Sequence, residues 1–326
     1  MSSDLPELSP APSSWDAGSV YSNLRFPAKG PATSQYVLSA FLLCATIVST
    51  SFTGLSQLAG IDLVTAFRIF IVKPSMILQG LPFSIPLISI LLAHELGHFF
   101  ACRYYGMRCT PPFFIPFPIS LAGTFGAFIK IKSQFLHRRA LFDIGIAGPL
   151  AGFLFILPTL CIGISLSKLV PKGGLPPGEL IFGEPLIFRL LGAVILGYAP
   201  DRQDMVAHPM AMAAWVGLLA TSLNLLPIWQ LDGGHISYAI FGPSLQKRIS
   251  VFSIVALILV SFMGWPPSIT LLFFAALLLI ICARLRFFHP PTLQEDDRLG
   301  PGRAFLALIA LLILILSFTP APVTIK

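Results

Sequence analysis

Long apolar runs alternate with short polar segments along the chain, and several approach the roughly 20 residues needed to cross the hydrocarbon core of a bilayer. Runs at 36–58, 82–104, 141–168, 208–229, 249–264, 269–284 and 303–320 predict seven transmembrane helices. The stretch 186–198 is also apolar, but it is short and contains Arg189, Gly192 and Gly197. It predicts an interfacial or re-entrant helix rather than a crossing.

Residues 110–140 depart from the helical pattern. The segment starts rich in proline, passes Gly123 and Gly126, and ends in polar-apolar alternation at Ala127-Phe128-Ile129-Lys130-Ile131-Lys132. That order predicts a hairpin over Gly123 to Lys132. At membrane depth such backbone must line a cavity or pack on protein. The predicted fold is therefore an all-α polytopic membrane protein with a re-entrant β-hairpin-like segment after the second span. Residues 1–35, rich in Pro and Ser, resemble neither a signal peptide nor an Arg-rich transit peptide and read as a mobile cytosolic tail. Residues 36–81 supply a first helix and a linker, 82–247 a core, and 248–326 the trailing helices.

Composition agrees with a membrane-embedded chain: 55% of residues are hydrophobic and 11% charged, and the mean hydropathy is +0.84. The net charge of +7 belongs to Lys and Arg beside span ends, such as Arg103, Arg108, Arg138, Arg139, Lys247 and Arg248. This is the positive-inside pattern, and it places the N-terminus inside the cell. No separate basic patch or nucleic-acid motif accompanies the charge, so the bilayer is the expected partner and nucleic acid is not. The five cysteines form no CxxC pair and read as buried free thiols.

Chemistry concentrates in the second span. In Leu92-Ala93-His94-Glu95-Leu96-Gly97-His98 the two histidines are four apart, which puts them on one helix face where they can share a metal. Glu95 is offset by about 100 degrees, close enough to reach a water at that metal. Ionisable groups in an apolar span are costly unless paired or metal-bound. Catalytic zinc commonly takes three protein ligands. The best third candidate is Asp232, in Asn224-Leu225-Leu226-Pro227-Ile228-Trp229-Gln230-Leu231-Asp232-Gly233-Gly234 at the end of the fourth span. If 186–198 does not cross, the second and fourth spans run the same way and bring HELGH and LDGG to one depth.

HELGH followed by NLLPIWQLDGG, together with Gly123-Thr124-Phe125-Gly126 and Phe142-Asp143-Ile144-Gly145-Ile146-Ala147-Gly148-Pro149-Leu150-Ala151-Gly152, resembles the site-2 protease family of intramembrane metalloproteases. The likeness extends from about 82 to 292. It implies one zinc ion per chain on His94, His98 and Asp232, Glu95 as general base, and Asn224 as a group that holds the substrate or its tetrahedral intermediate. Many members carry a PDZ or CBS domain; this sequence has room for neither, so a branch without a PDZ domain is expected. The implied activity is an endopeptidase acting within or beside transmembrane segments of single-span proteins, as in regulated intramembrane proteolysis.

A hidden helical peptide bond must be unwound before hydrolysis, so Gly123, Gly126, Phe128 and Ile129 are expected to hold the unwound strand by β-augmentation. The competing classes are a metal-ion transporter, which would need further polar residues along a path, and a catalytically silent membrane chaperone, which would lack part of the set. His137, His208, His235 and His289 read as structural or supporting, Asp143 as a helix-dipole partner, and Gly148 and Gly152 as sites of close helix packing. The expected location is a bacterial cytoplasmic membrane, with the active site towards the cytosol.

Overall fold

The computed structural model describes residues 30–174, 180–263, 267–284, 289–295 and 299–325. The expected tail, 1–35, lies almost wholly outside them. Helix α1 is Thr33–Ala59, and residues 59–81, expected as a linker, contain helix α2 (Leu63–Val72) and a 3-10 helix, Pro74–Gly80. Asp62 caps α2 by accepting from the Thr65 amide at 2.9 Å, the side-chain cap that starts short helices. Helix α3, Leu81–Tyr104, carries HELGH. Strands β1 (Phe113–Pro116) and β2 (Thr124–Phe128) follow, then helix α4, Arg138–Ser165.

A cap of short elements comes next: β3 (Lys168–Pro171), β4 (Leu180–Phe182), helix α5 (Leu186–Leu196) and β5 (Gln203–Val206). Helices α6 (Pro209–Asn224), α7 (Asp232–Phe241), α8 (Pro243–Ser261), α9 (Ile269–Arg284) and α10 (Gly300–Ser317) lead to strand β6, Val323–Ile325. Among the described residues, three two-stranded sheets form, pairing β1 with β2, β3 with β5 and β4 with β6. The chain is thus mostly helical without being all-α.

Among the described residues, five helical segments are long and apolar enough to cross a membrane, not seven: Thr33–Ala59, Pro74–Tyr104, Arg138–Ser165, Pro243–Ser261 and Gly300–Ser317. The expected fourth span, 208–229, is the main departure. Its helix has 16 residues and stops at Asn224, about 24 Å against a hydrocarbon core of roughly 30 Å. Pro227 cannot donate to a helical ladder, and Trp229 adopts a φ of 47°, so the run 225–231 turns and a new helix starts at Asp232. Helix α9 is also 16 residues long. The apolar 186–198 stretch forms only the 11-residue α5.

The hairpin is present, but its strands differ from the expected ones. Phe113 pairs with Phe128 and Phe114 with Ala127, so Gly123 closes the turn and Lys130–Lys132 lie beyond β2. Helix α1 carries this hairpin. Ser49 Oγ donates to the Gly123 carbonyl at 2.6 Å, Ser39 Oγ to that of Pro112 at 2.5 Å, and Gln57 Nε2 to that of Leu121 at 2.9 Å. A Cβ at Gly123 would lie 2.7 Å from Thr50 Cα, and its φ is +73°. Glycine is needed there for both contact and conformation.

The core is a bundle of α3, α4, α6 and α7. One apolar cluster joins Cys102, Leu141, Phe142, Ile144 and Tyr238; another joins Ile90, Ile156, Leu160, Trp215 and Leu218. The histidines of α3 lie between the two. All five cysteines are free, but only Cys102, Cys109 and Cys282 are buried, since Cys44 is exposed and Cys161 half-buried on outer helix faces. Asp143 is an ion-pair residue rather than a dipole partner: Arg303 Nε and Nη2 reach its two oxygens at 2.8 and 2.6 Å, and Tyr105 also donates to it.

Candidate metal centre

His94, Glu95 and His98 are 6–7% exposed in the interior of α3. Their seat is made by α4. A Cβ at Gly148 would overlap His98, and one at Gly152 would lie 3.2 Å from His94 Cβ. The two glycines do bring the helices close, as expected, and the space they leave is filled by imidazoles. Gly97 does the same in reverse, its hydrogen facing the Ala147 carbonyl.

His98 Nδ1 lies 2.7 Å from the Ile144 carbonyl oxygen. A carbonyl only accepts, so Nδ1 carries the proton and Nε2 presents a lone pair, the tautomer a metal ligand requires. His94 Nε2 is 3.1 Å from His98 Nε2. Asp232, the first residue of α7, brings its carboxylate to the same point, with Oδ2 at 3.2 Å from His94 Nε2 and Oδ1 at 3.3 Å from His98 Nε2. The positive end of the α7 dipole favours a carboxylate there. Gly233 and Gly234 allow this approach, because a Cβ at either would strike the carbonyls of Leu225 or Trp229.

The donor set fits a cation. Asp232 Oδ2 is buried with no hydrogen-bond partner, although it faces a histidine nitrogen, and the three side chains offer ligand atoms all within 4.8 Å of one another. Tetrahedral zinc with bonds of about 2.0–2.1 Å separates its ligand atoms by roughly 3.3 Å, close to the 3.1–3.3 Å seen here. Two imidazoles and one carboxylate are a familiar catalytic zinc set, with a fourth position left for water.

Asn224 ends α6 with Nδ2 at 3.5 Å from His94 Nε2. The backbone amide of Ile129, just past β2, faces the Glu95 carboxylate. The hairpin therefore adjoins the centre through Ile129. Gly123 and Gly126 are in its turn and second strand, and the Phe128 ring lies tilted against that of Phe113 with centroids 5.9 Å apart. His137 and His208 cap α4 and α6 by accepting from Ala140 and Met210 amides at 3.0 and 3.2 Å. His235, one turn after Asp232, turns its Nδ1 to His289 Nε2 at 2.8 Å. Sequence reasoning missed the hairpin supports Ser49 and Gln57 and the seating role of Gly148 and Gly152. Polar residues inside an apolar run, and glycines four apart, were the available signals.

The family model of Peptidase family M50 matches residues 82–263. The chain belongs to peptidase family M50. Relatives of this M50 chain include the protein named probable zinc metalloprotease EGY1, chloroplastic, of Oryza sativa subsp. japonica, 30% identical over 89% of this chain and 52% of that protein. The Arabidopsis thaliana protein of the same name is 30% identical over 89% of this chain and 54% of its own length. Probable zinc metalloprotease EGY2, chloroplastic, of Arabidopsis thaliana is 32% identical over 60% of this chain and 34% of its own. The chain thus spans about half the length of the first two. The family resemblance and zinc as the implied metal both hold at this level. The expected bacterial cytoplasmic membrane, with its cytosolic sidedness, does not: these relatives are chloroplastic plant proteins. That expectation rested on the composition of residues 1–35, which does not identify a compartment.

Proposed function

We propose that this M50 chain is a zinc endopeptidase of a chloroplast membrane. It cuts peptide bonds within or next to the transmembrane segments of single-span proteins, as in regulated intramembrane proteolysis. The observation that carries the reading is the meeting of three lone-pair donors, His94 Nε2, His98 Nε2 and the Asp232 carboxylate, one residue from Glu95 inside a segment apolar enough to span a membrane.

His94, His98 and Asp232 would hold the ion. Zinc bound there would acidify a water and polarise a carbonyl. Glu95 takes the water's proton on its carboxylate and passes it to the nitrogen of the departing amine. Asn224 Nδ2, at the rim of the centre, donates to the carbonyl oxygen as negative charge develops; loss of one such donor typically costs about 2.7–4 kcal/mol of barrier.

The substrate's amides are occupied by its own helical ladder, so the cleaved segment must open. The β1–β2 hairpin is re-entrant in this reading: it rests on α1 and offers strand β2, with Gly126, Phe128 and Ile129, as a template for the opened segment. Gly123 keeps the turn tight against α1. A reporter with one transmembrane segment, reconstituted with the purified chain in lipid, tests the proposal. Wild type should release two fragments and Glu95→Gln none; equal cleavage by Glu95→Gln would refute it.

A further inference from the structure

The turn between Asn224 and Asp232 is held by two side chains outside the family motifs. Gln246 and Ser250 lie on one face of α8, four residues apart, and each is 1% exposed. Gln246 Nε2 donates to the Trp229 carbonyl at 3.1 Å and to Ser250 Oγ at 2.9 Å. Ser250 Oγ accepts from the Trp229 amide at 3.0 Å and donates to the Pro227 carbonyl at 3.3 Å. Both backbone polar groups of Trp229 are therefore taken by this pair.

Trp229 has a φ of 47°, a left-handed conformation that a residue with a bulky side chain rarely adopts unless its surroundings enforce it. Its carbonyl also lies directly against Gly234, where a Cβ would overlap it. The contact connects the turn to the first turn of α7, which carries Asp232. A displaced Trp229 carbonyl would press on Gly234 and shift Asp232 relative to the two histidines of α3. A buried polar pair of this kind is costly unless hydrogen-bonded, and here one bond joins the two side chains while three go to the backbone of Pro227 and Trp229 ahead of Asp232.

We propose that Gln246 and Ser250 are positioning residues for the metal centre, acting on Asp232 through the backbone of Trp229 and Gly234. The inference rests on the reading of His94, His98 and Asp232 as zinc ligands. Groups that orient a metal ligand without touching the metal typically change metal affinity about 10- to 100-fold when removed.

The test is zinc affinity of the full-length chain, measured by competition with a chromophoric chelator. Ser250→Ala and Gln246→Leu should weaken zinc about 10- to 100-fold, while Ser250→Thr, which keeps the hydroxyl, should bind like wild type. In an Asp232→Asn background, where the two histidines bind zinc weakly, neither substitution should weaken it further. If Gln246→Leu does not fold, Ser250→Ala and its Thr counterpart carry the test. Unchanged affinity in folded Ser250→Ala, or equal weakening with and without Asp232, would overturn the inference while leaving the zinc reading intact. A wild-type chain that binds no zinc would instead overturn the reading beneath it.

Discussion

Gly148→Ala isolates the packing that sets the two histidines. A Cβ at position 148 would lie 2.5 and 2.6 Å from His98 Cε1 and Cδ2, and closer still to Nε2, the proposed ligand atom. Ordinary contact requires the ring to move by roughly 1 Å, in a core packed too densely to yield freely. The same ring is tied through Nδ1 to the Ile144 carbonyl on α4 at 2.7 Å, so it cannot retreat without losing that bond. Overpacking costs about 1–3 kcal/mol, and a misplacement near 1 Å costs about 100-fold in rate.

Gly152→Ala is the internal control, because its Cβ would meet His94 Cβ at 3.2 Å and Nδ1 at 3.3 Å, contacts that relax by a few tenths of an ångström. Reconstituted cleavage of a single-span reporter, with zinc content measured on the same preparations, should show a loss of about 100-fold for Gly148→Ala and a much smaller one for Gly152→Ala. Wild-type cleavage and zinc content in a folded Gly148→Ala protein would refute the reasoning.

Other changes separate the parts of the site. Glu95→Gln should abolish cleavage while zinc content, measured by elemental analysis, stays at the wild-type level, because Glu95 is proposed as a base and not as a ligand. Removing zinc with a chelator should stop cleavage and lower the thermal midpoint, and added zinc should restore both; a ligand at 100 times its Kd stabilises by about 2.7 kcal/mol. Ser49→Ala removes a bond to the hairpin turn worth about 1 kcal/mol, and hydrogen exchange should quicken across Phe113–Phe128 without change at α3. Ile129→Pro deletes the amide that faces Glu95 and should reduce cleavage with zinc retained. Full activity in folded Ile129→Pro would remove the hairpin from the mechanism.

The halves of the metal centre were readable in the sequence for a geometric reason. His94 and His98 share a helix face by spacing alone, and Asp232 stands where Pro227 and two glycines interrupt an apolar run. That the helix ends as early as Asn224, ahead of Pro227, was not readable. Leu225, Leu226, Ile228 and Trp229 are as apolar as any span, and the turn around Pro227 and Trp229 is held by Gln246 and Ser250 from another helix. Hydropathy registers composition, not hydrogen bonds made across the bundle. The hairpin was legible in its glycines, whereas β1, with its prolines, had no strand signature. The support from α1 was hidden for a related reason. Thr46, Thr50 and Ser51 bond back to carbonyls of their own helix at 2.7–2.8 Å, so hydroxyls in a span look merely tolerated, and Ser49 among them does not stand out. The composition of residues 1–35 pointed to a bacterial membrane, whereas the relatives are chloroplastic.

Everything proposed for the site depends on one zinc ion held by His94, His98 and Asp232. Zinc-edge X-ray absorption on the purified full-length protein reads those ligands. One zinc per chain is expected, with two imidazole nitrogens and a carboxylate oxygen at about 2.0–2.2 Å, and this signature should be lost in Asp232→Ala. A sulfur shell at about 2.3 Å, or a spectrum unchanged by Asp232→Ala, would contradict it.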